Sequence, residues 1–264
     1  MLTEARSQFR VMALSIKYAL MREMLNKVSF FSNVVFMMLN NASFIIQWLV
    51  IYSIKKNIAG YDIKDVVLLW GMASGTYGIA RFFFKNAFNL SNIITNGKLD
   101  AFLVQPKDVL LSCITTDVEV SALGDILYSY IMLCIYGITI KNFAIFTLFI
   151  ITGGLLLVSI SVIFSSLSFW FRKADMVSDT ANSLMVNFAT YPDGIFKGIA
   201  KIILYTIVPV GIATYLPVNI IRSFNIYYFM IVIGVCLVMI AFAYLIFYKG
   251  LRRYSSSNLM ISRI

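Results

Sequence analysis

The sequence predicts an all-α integral membrane protein with six transmembrane helices, an amphipathic N-terminal interfacial helix and a re-entrant outer hairpin before the last span. Of its 264 residues, 60% are hydrophobic and only 13% are charged, whereas soluble domains carry roughly 25% charged residues. The mean hydropathy is +0.85. Apolar runs long enough to cross a bilayer also alternate with short basic segments, which is the pattern of a multi-pass protein. We treat the whole chain, residues 1–264, as one transmembrane domain.

The N-terminal segment, residues 1–29, is predicted to be an interfacial helix. Leu14, Tyr18, Met21 and Leu25 recur at helical spacing, and basic residues flank this apolar stripe. Such a helix lies in the plane of the membrane, with its basic groups reaching anionic headgroups. An ordinary cytosolic helix is the alternative.

Four spans are predicted in the first two thirds of the chain. Spans one and two cover residues 30–54 and 66–84, where the apolar runs are nearly free of charge. The apolar part of residues 110–171 holds spans three and four, the third over 123–138 and the fourth over 143–171. The first part of the third apolar run carries acidic residues and is interpreted as a cytosolic or interfacial extension; these residues are Asp117, Glu119 and Asp125.

A fifth span is predicted within residues 174–196, although this segment is only moderately apolar. Asp175, Asp179 and Asn182 follow one another in steps of four and three, so they share one helical face. A spanning helix turns such a face away from lipid, which makes Asp179 and Asn182 candidate pathway-facing residues. The alternative is that both acidic residues lie near the cytosolic headgroups.

The re-entrant hairpin is predicted over residues 198–222, within the larger unit 174–222. Pro209 and Pro217 stand eight residues apart with Gly211 between them, which argues against one straight helix. A hairpin that enters the membrane and returns on the same side accommodates both prolines.

A sixth span over residues 224–248 leads into a basic tail, residues 249–264. With the N-terminus inside, fifteen of the 22 Lys and Arg residues lie on the inner side and seven on the outer side. The positive-inside rule then places both termini in the cytosol. We expect a multi-pass protein of a cell membrane, most consistent with a bacterial plasma membrane, in contact with lipid.

The polar segment between spans two and three, residues 85–109, is called the docking segment here. A short helix here would present one apolar face and one charged face to the cytosol, as docking to a soluble partner requires. The candidate contact residues are Gly97, Leu99, Asp100, Phe102, Leu103 and Pro106. The alternative is a helix that rests on lipid headgroups.

This arrangement resembles the type-2, exporter-class permeases of ABC transporters. Residues 94–106, Ile-Thr-Asn-Gly-Lys-Leu-Asp-Ala-Phe-Leu-Val-Gln-Pro, are similar to that family's stretch after span two, where Gly-x-Leu-Asp-x-x-Leu-x-x-Pro recurs. Tyr191-Pro192, Val208-Pro209 and Tyr215-Leu216-Pro217 are similar to the outer end of span five and its hairpin. The resemblance implies a permease that dimerises with a second copy or a sister permease and binds two ATPase subunits. It also implies export of an amphiphilic cargo such as a drug, peptide or lipid-like molecule.

Several other functions are disfavoured by composition. The chain has no histidine, which excludes His-dependent catalysis and His-ligated metals, and no catalytic, cofactor-binding or metal site is predicted. No Gly-x-x-x-x-Gly-Lys-Ser/Thr phosphate loop is present, so we expect ATP and Mg²⁺ on a partner chain. Nucleic acid is not expected, because the basic residues lie at the ends of apolar runs. The alternative function is an ion- or proton-coupled secondary carrier that uses Asp117, Glu119, Asp125 or Asp179 as an intramembrane carboxylate.

Overall fold

The computed structural model describes residues 2–171 and 174–255, so most of the predicted tail, residues 249–264, lies outside the described residues. In this part of the chain the structure is helical. The α-helices are α1 (Leu2–Glu23), α2 (Lys27–Ile54), α3 (Ile63–Phe84), α4 (Leu90–Thr95), α5 (Asp100–Leu103), α6 (Val109–Ile114), α7 (Ala122–Gly137), α8 (Ile140–Ser166), α9 (Ala174–Ala189), α10 (Ile199–Thr206), α11 (Leu216–Arg222) and α12 (Ile226–Leu251).

Among residues 2–171 and 174–255, four helices are long and apolar enough to cross a membrane: α2, α3 with its continuation to Thr95, α8 and α12. The count is five if the bent pair formed by α10 and α11 is one span. The other two predicted spans correspond to α7 and α9, which have 16 residues each. At 1.5 Å per residue each is about 24 Å long, short of the roughly 30 Å hydrocarbon core. Six spans therefore remain a prediction, although every predicted span coincides with a helix.

Helix α3 is the centre of the packing. Most of its residues are buried, whereas only five residues are buried in each of α2 and α12. Its glycines allow α7 to approach closely: a Cβ on Gly71 would lie 2.9 Å from the Met132 Cβ, and a Cβ on Gly78 would lie 2.8 Å from Ile126. The small residues of this helix thus serve packing within the chain.

Helices α2 and α7 also meet at a glycine. A Cβ on Gly124 would lie 2.4 Å from the backbone oxygen of Val34, so the two backbones touch there. This contact brings the first half of α2 against the first turn of α7. It therefore fixes the relative position of the polar side chains that the two helices bury between them.

Helix α1 lies against α6 and the loop that follows it. The Gln8 side chain donates to Ser112 Oγ and accepts from the Asp108 backbone N–H, and Arg22 forms an ion pair with Asp117. The four apolar residues of its predicted stripe are all exposed. Exposed apolar groups beside basic ones are what lipid contact requires, and the interfacial position stays a prediction.

The predicted hairpin is a broken helix in the structure. Helix α10 and the pair formed by the π-helical turn Gly211–Tyr215 and α11 meet at an angle of 75°. Pro209 lies in the break and Pro217 in the first turn of α11, where a missing N–H costs least. Gly211 packs under the Tyr205 ring, since a Cβ there would lie 2.5 Å from it. The break agrees with the proline argument, and re-entry on the same side remains a prediction.

Candidate functional site

A cavity of about 510 Å³ opens between α2, α3 and α9, and we call it the larger cavity because a smaller one adjoins it. Its volume lies within the range of small-molecule sites. Its walls combine aromatic rings with amide and hydroxyl groups. The lining residues that matter below are Asn40, Asn41, Phe44, Gln47, Trp48, Trp70, Ser74, Thr76, Tyr77, Asp125, Asn187 and Tyr191.

Four aromatic residues of this cavity form two packed pairs. Phe44 of α2 stacks on Trp70 of α3, with ring centroids 5.6 Å apart and planes 20° from parallel. Trp48 meets Tyr191, just beyond α9, edge to face at 5.9 Å. The rings give the cavity flat apolar walls with polar edges, which suits an amphiphilic ligand.

Asp125 is the acidic residue of the larger cavity. Its side chain is 3% exposed, in the first turn of α7. Asn41 Nδ2 donates to its Oδ1 at 2.6 Å, and the Ser74 hydroxyl donates to its backbone oxygen at 2.8 Å. Its Oδ2 has no hydrogen-bond partner among the described residues. Helix α7 thus carries Asp125 inside the helical packing, and its depth in the membrane stays a prediction.

A second, smaller cavity of about 330 Å³ adjoins the first at the end of α3 that leads into the docking segment. The two cavities share Tyr77, Val186 and Asn187. The smaller one contains both candidate pathway residues: Asp179 is exposed, whereas Asn182 is buried and donates to Ser161 Oγ at 3.1 Å. Both residues thus line one cavity, and their role in a transport pathway stays a prediction.

Arg81 provides the positive charge of the smaller cavity. Its guanidinium lies 4.8 Å from the Phe88 ring centroid and 5.4 Å from that of Tyr77. It also pairs with Glu119 at 3.1 Å. Because Arg81 has both aromatic and acidic neighbours, its charge is well compensated where it stands.

The docking segment forms a 3₁₀ turn, Lys85–Ala87, followed by α4 and α5. Gly97 has φ of 71°, in the left-handed region, and turns the chain between the two helices. Leu103 and Val104 are 42% and 84% exposed, and Pro106 is exposed as well. These residues form an open apolar edge.

Two of the predicted contact residues lie differently from expectation. Leu99 is fully buried and packs in the core. The prediction that it contacts a partner directly is therefore wrong. Phe102 is half-buried against that core. Asp100 lies near Tyr254, where burial first and then this carboxylate raise the pKa of the tyrosine. The open part of the segment is therefore its second half, around Leu103.

Ionic contacts attach the docking segment to its surroundings. Asp117, in the loop before α7, pairs with Lys85 at 3.1 Å and with Arg22 of α1. Burial raises the pKa of Asp117, but the two cations outweigh burial and hold this pKa below its ordinary value. At the other end of the segment, Tyr248 of α12 donates to Asp108 at 2.8 Å. The segment is thus held from α1, from the loop before α7 and from α12.

Sequence reasoning missed the pairing of Asn41 with Asp125. An amide within an apolar run is a recognisable signal, and Asn40 and Asn41 interrupt the first span. Their partner could not be identified, however, because 84 residues separate Asn41 from Asp125.

Apolar helices long enough for a bilayer, packed around a cavity of mixed polarity, define a multi-pass membrane protein suited to transport. The family can be stated as well. A family model described as ABC-2 family transporter protein matches residues 21–258, and the chain belongs to that family. The resemblance to ABC permeases is thereby confirmed. This family is the membrane transport component, lacks an ATPase domain of its own and normally works with ABC ATPase partners. No curated protein and no solved structure matches the chain.

Proposed function

We propose that the chain is the membrane-spanning permease subunit of an ATP-driven exporter, which moves an amphiphilic cargo out of the cytosol or the inner leaflet. The observation that carries this proposal is the pair of adjoining cavities along α3 and α9. The smaller one lies beside Phe88 of the docking segment, and the larger one extends to Tyr191 beyond the far end of α9. A cargo could follow this line from one side of the helical bundle to the other.

The energy would come from ABC ATPase subunits, two per transporter, that bind the docking segment on the cytosolic side. The exposed edge at Leu103, Val104 and Pro106 supports this contact, since apolar side chains without cover mark interaction surfaces. A second copy or a sister permease would complete the transporter beside the largely exposed α2. Both termini would be cytosolic, in a cell membrane.

Purification tests the proposal. The full chain, tagged and extracted in mild detergent from its native membrane, should carry an ABC ATPase, with a native mass that fits two copies of each subunit. The Asp125 carboxylate in the larger cavity favours one other candidate, an ion- or proton-coupled carrier. Transport by the reconstituted chain that needs an ion gradient and no ATPase would replace the exporter proposal with that carrier.

A further inference from the structure

The wall of the larger cavity contains one buried carboxylate, that of Asp125. This side chain is 3% exposed, yet it belongs to the cavity wall and its Oδ2 has no hydrogen-bond partner among the described residues. Its other oxygen is held by Asn41 at 2.6 Å, which fixes the direction of the carboxylate. A buried carboxylate oxygen without a partner is costly unless something donates to it or neutralises it.

The neighbouring side chains leave this carboxylate without a counterion. Among the described residues that line the larger cavity, Asp125 is the only Asp, Glu, Lys or Arg. The nearby Arg81 pairs with Glu119, and in residues 2–171 and 174–255 no ion pair includes Asp125. The missing positive charge would therefore come from a molecule that enters the cavity.

The walls around the carboxylate indicate what kind of cation fits. The stacked Phe44 and Trp70 rings and the Trp48–Tyr191 pair line the same space. Aromatic faces attract cations and also bind apolar groups. A small inorganic cation would leave these walls without contacts, whereas an organic cation with apolar substituents would use both the carboxylate and the rings.

We propose that the larger cavity binds an amphiphile bearing a positive charge, with the charge at Asp125 and the apolar part against the aromatic pairs. This rests on the proposed export function and adds to it the charge of the cargo. Asn41 is a positioning residue, since it acts through the carboxylate it orients.

Tetraphenylphosphonium and tetraphenylborate are suitable probes, because they share shape and apolar groups and differ in the sign of their charge. The chain has three tryptophans, two of which, Trp48 and Trp70, line the cavity. In a Trp170→Phe background, fluorescence quenching of the full-length purified protein in detergent therefore reports from the cavity alone. Because the two ions partition differently into detergent, the decisive quantity is the change in each affinity on substitution.

We expect saturable quenching by tetraphenylphosphonium, and Asp125→Asn should weaken it by about tenfold or more, the usual size of a lost charged contact. Quenching by tetraphenylborate should not weaken. Asp175→Asn, on α9 outside both cavities, is the matched control and should behave as the wild type. If Asp125→Asn does not fold, Asp125→Glu and Asp125→Gln provide the same comparison, with loss of cation binding expected only in the glutamine variant.

Absence of saturable quenching by the cation in the wild type, or equal cation affinity in the charged and neutral variants, would overturn the proposal. Because the assay needs neither ATP nor a partner, it is independent of the exporter proposal. If the cation binds but purification recovers no ATPase with the chain, the export proposal is refuted and the proposed charge preference of the cavity stands. If an ATPase is recovered but the cation does not bind, the export proposal stands and the charge preference is refuted.

Discussion

Leu99 and Leu103 provide a sharp test of how the docking segment works. They lie one helical turn apart, but Leu99 is fully buried and Leu103 is 42% exposed. Leu103→Ala should leave the permease itself stable and weaken its hold on the ATPase. Truncating an anchor in a small docking surface costs about 2 kcal/mol, which is about a 30-fold change in affinity.

Leu99→Ala should have the opposite profile. It removes a buried side chain from the core, which costs about 2–5 kcal/mol of folding stability. Two measurements separate the effects: thermal unfolding of the purified permease in detergent, and the affinity of the permease for its isolated ATPase. Lowered affinity with unchanged unfolding is expected for Leu103→Ala only.

The reasoning fails if Leu103→Ala binds the ATPase with wild-type affinity, for then the exposed edge does not touch the partner. A docking segment that rests on lipid predicts that outcome. Val104, which is 84% exposed, provides a second test of the same edge. Val104→Ala should also weaken the contact with the ATPase without changing thermal unfolding.

Three further predictions concern the membrane position and the packing. A reporter fused after Ser255 should be cytosolic if residues 198–222 return on the side they enter, and an external reporter would refute the re-entrant hairpin. Gly124→Val should destabilise the chain by about 1–3 kcal/mol in thermal unfolding, because even a Cβ there would lie 2.4 Å from the Val34 oxygen. Gly137→Val is the comparison: among the described residues no atom lies within 4 Å of a Cβ at this position, so only the backbone strain at φ of 137° is expected. Since the pKa of Asp117 is depressed in the folded protein, its contribution to stability is present above its unfolded pKa, about 3.9, and is lost as the pH falls through the lower folded value. Asp117→Asn should therefore lower the unfolding temperature at neutral pH and make little difference in strong acid, and an equal effect at both pH values would count against the ion pairs.

The sequence was informative wherever local pattern decides structure. Apolar runs located α2, α3, α8 and α12, and the prolines located the break before α11. Spacing along one helix also placed Asp179 and Asn182 on a common face, and both line the smaller cavity. In each case the evidence lies within about 25 neighbouring residues.

Features that depend on distant segments could not be read in the same way. Leu99 has the same apolar character as Leu103, and only the packing of α4 and α5 onto the core buries one and exposes the other. Asp125 follows acidic residues in an apparently interfacial stretch. Its burial depends on the close α2–α7 contact at Gly124, which hydropathy does not reveal.

Helix α3 connects the two surfaces on which transport would depend. Trp70, Ser74 and Tyr77 belong to the wall of the larger cavity, and Arg81, one turn further, belongs to the smaller one. The chain then continues directly from α3 into the docking segment at Lys85. A helix transmits displacement along its axis because its hydrogen bonds keep its length, so a push on the docking segment would reach both cavities through one rigid element. Asp117 restrains such a displacement, because it forms ion pairs with both Lys85 and Arg22 of α1. A displacement of α3 relative to α1 would therefore break one of the two ion pairs of Asp117, unless α1 moves together with α3.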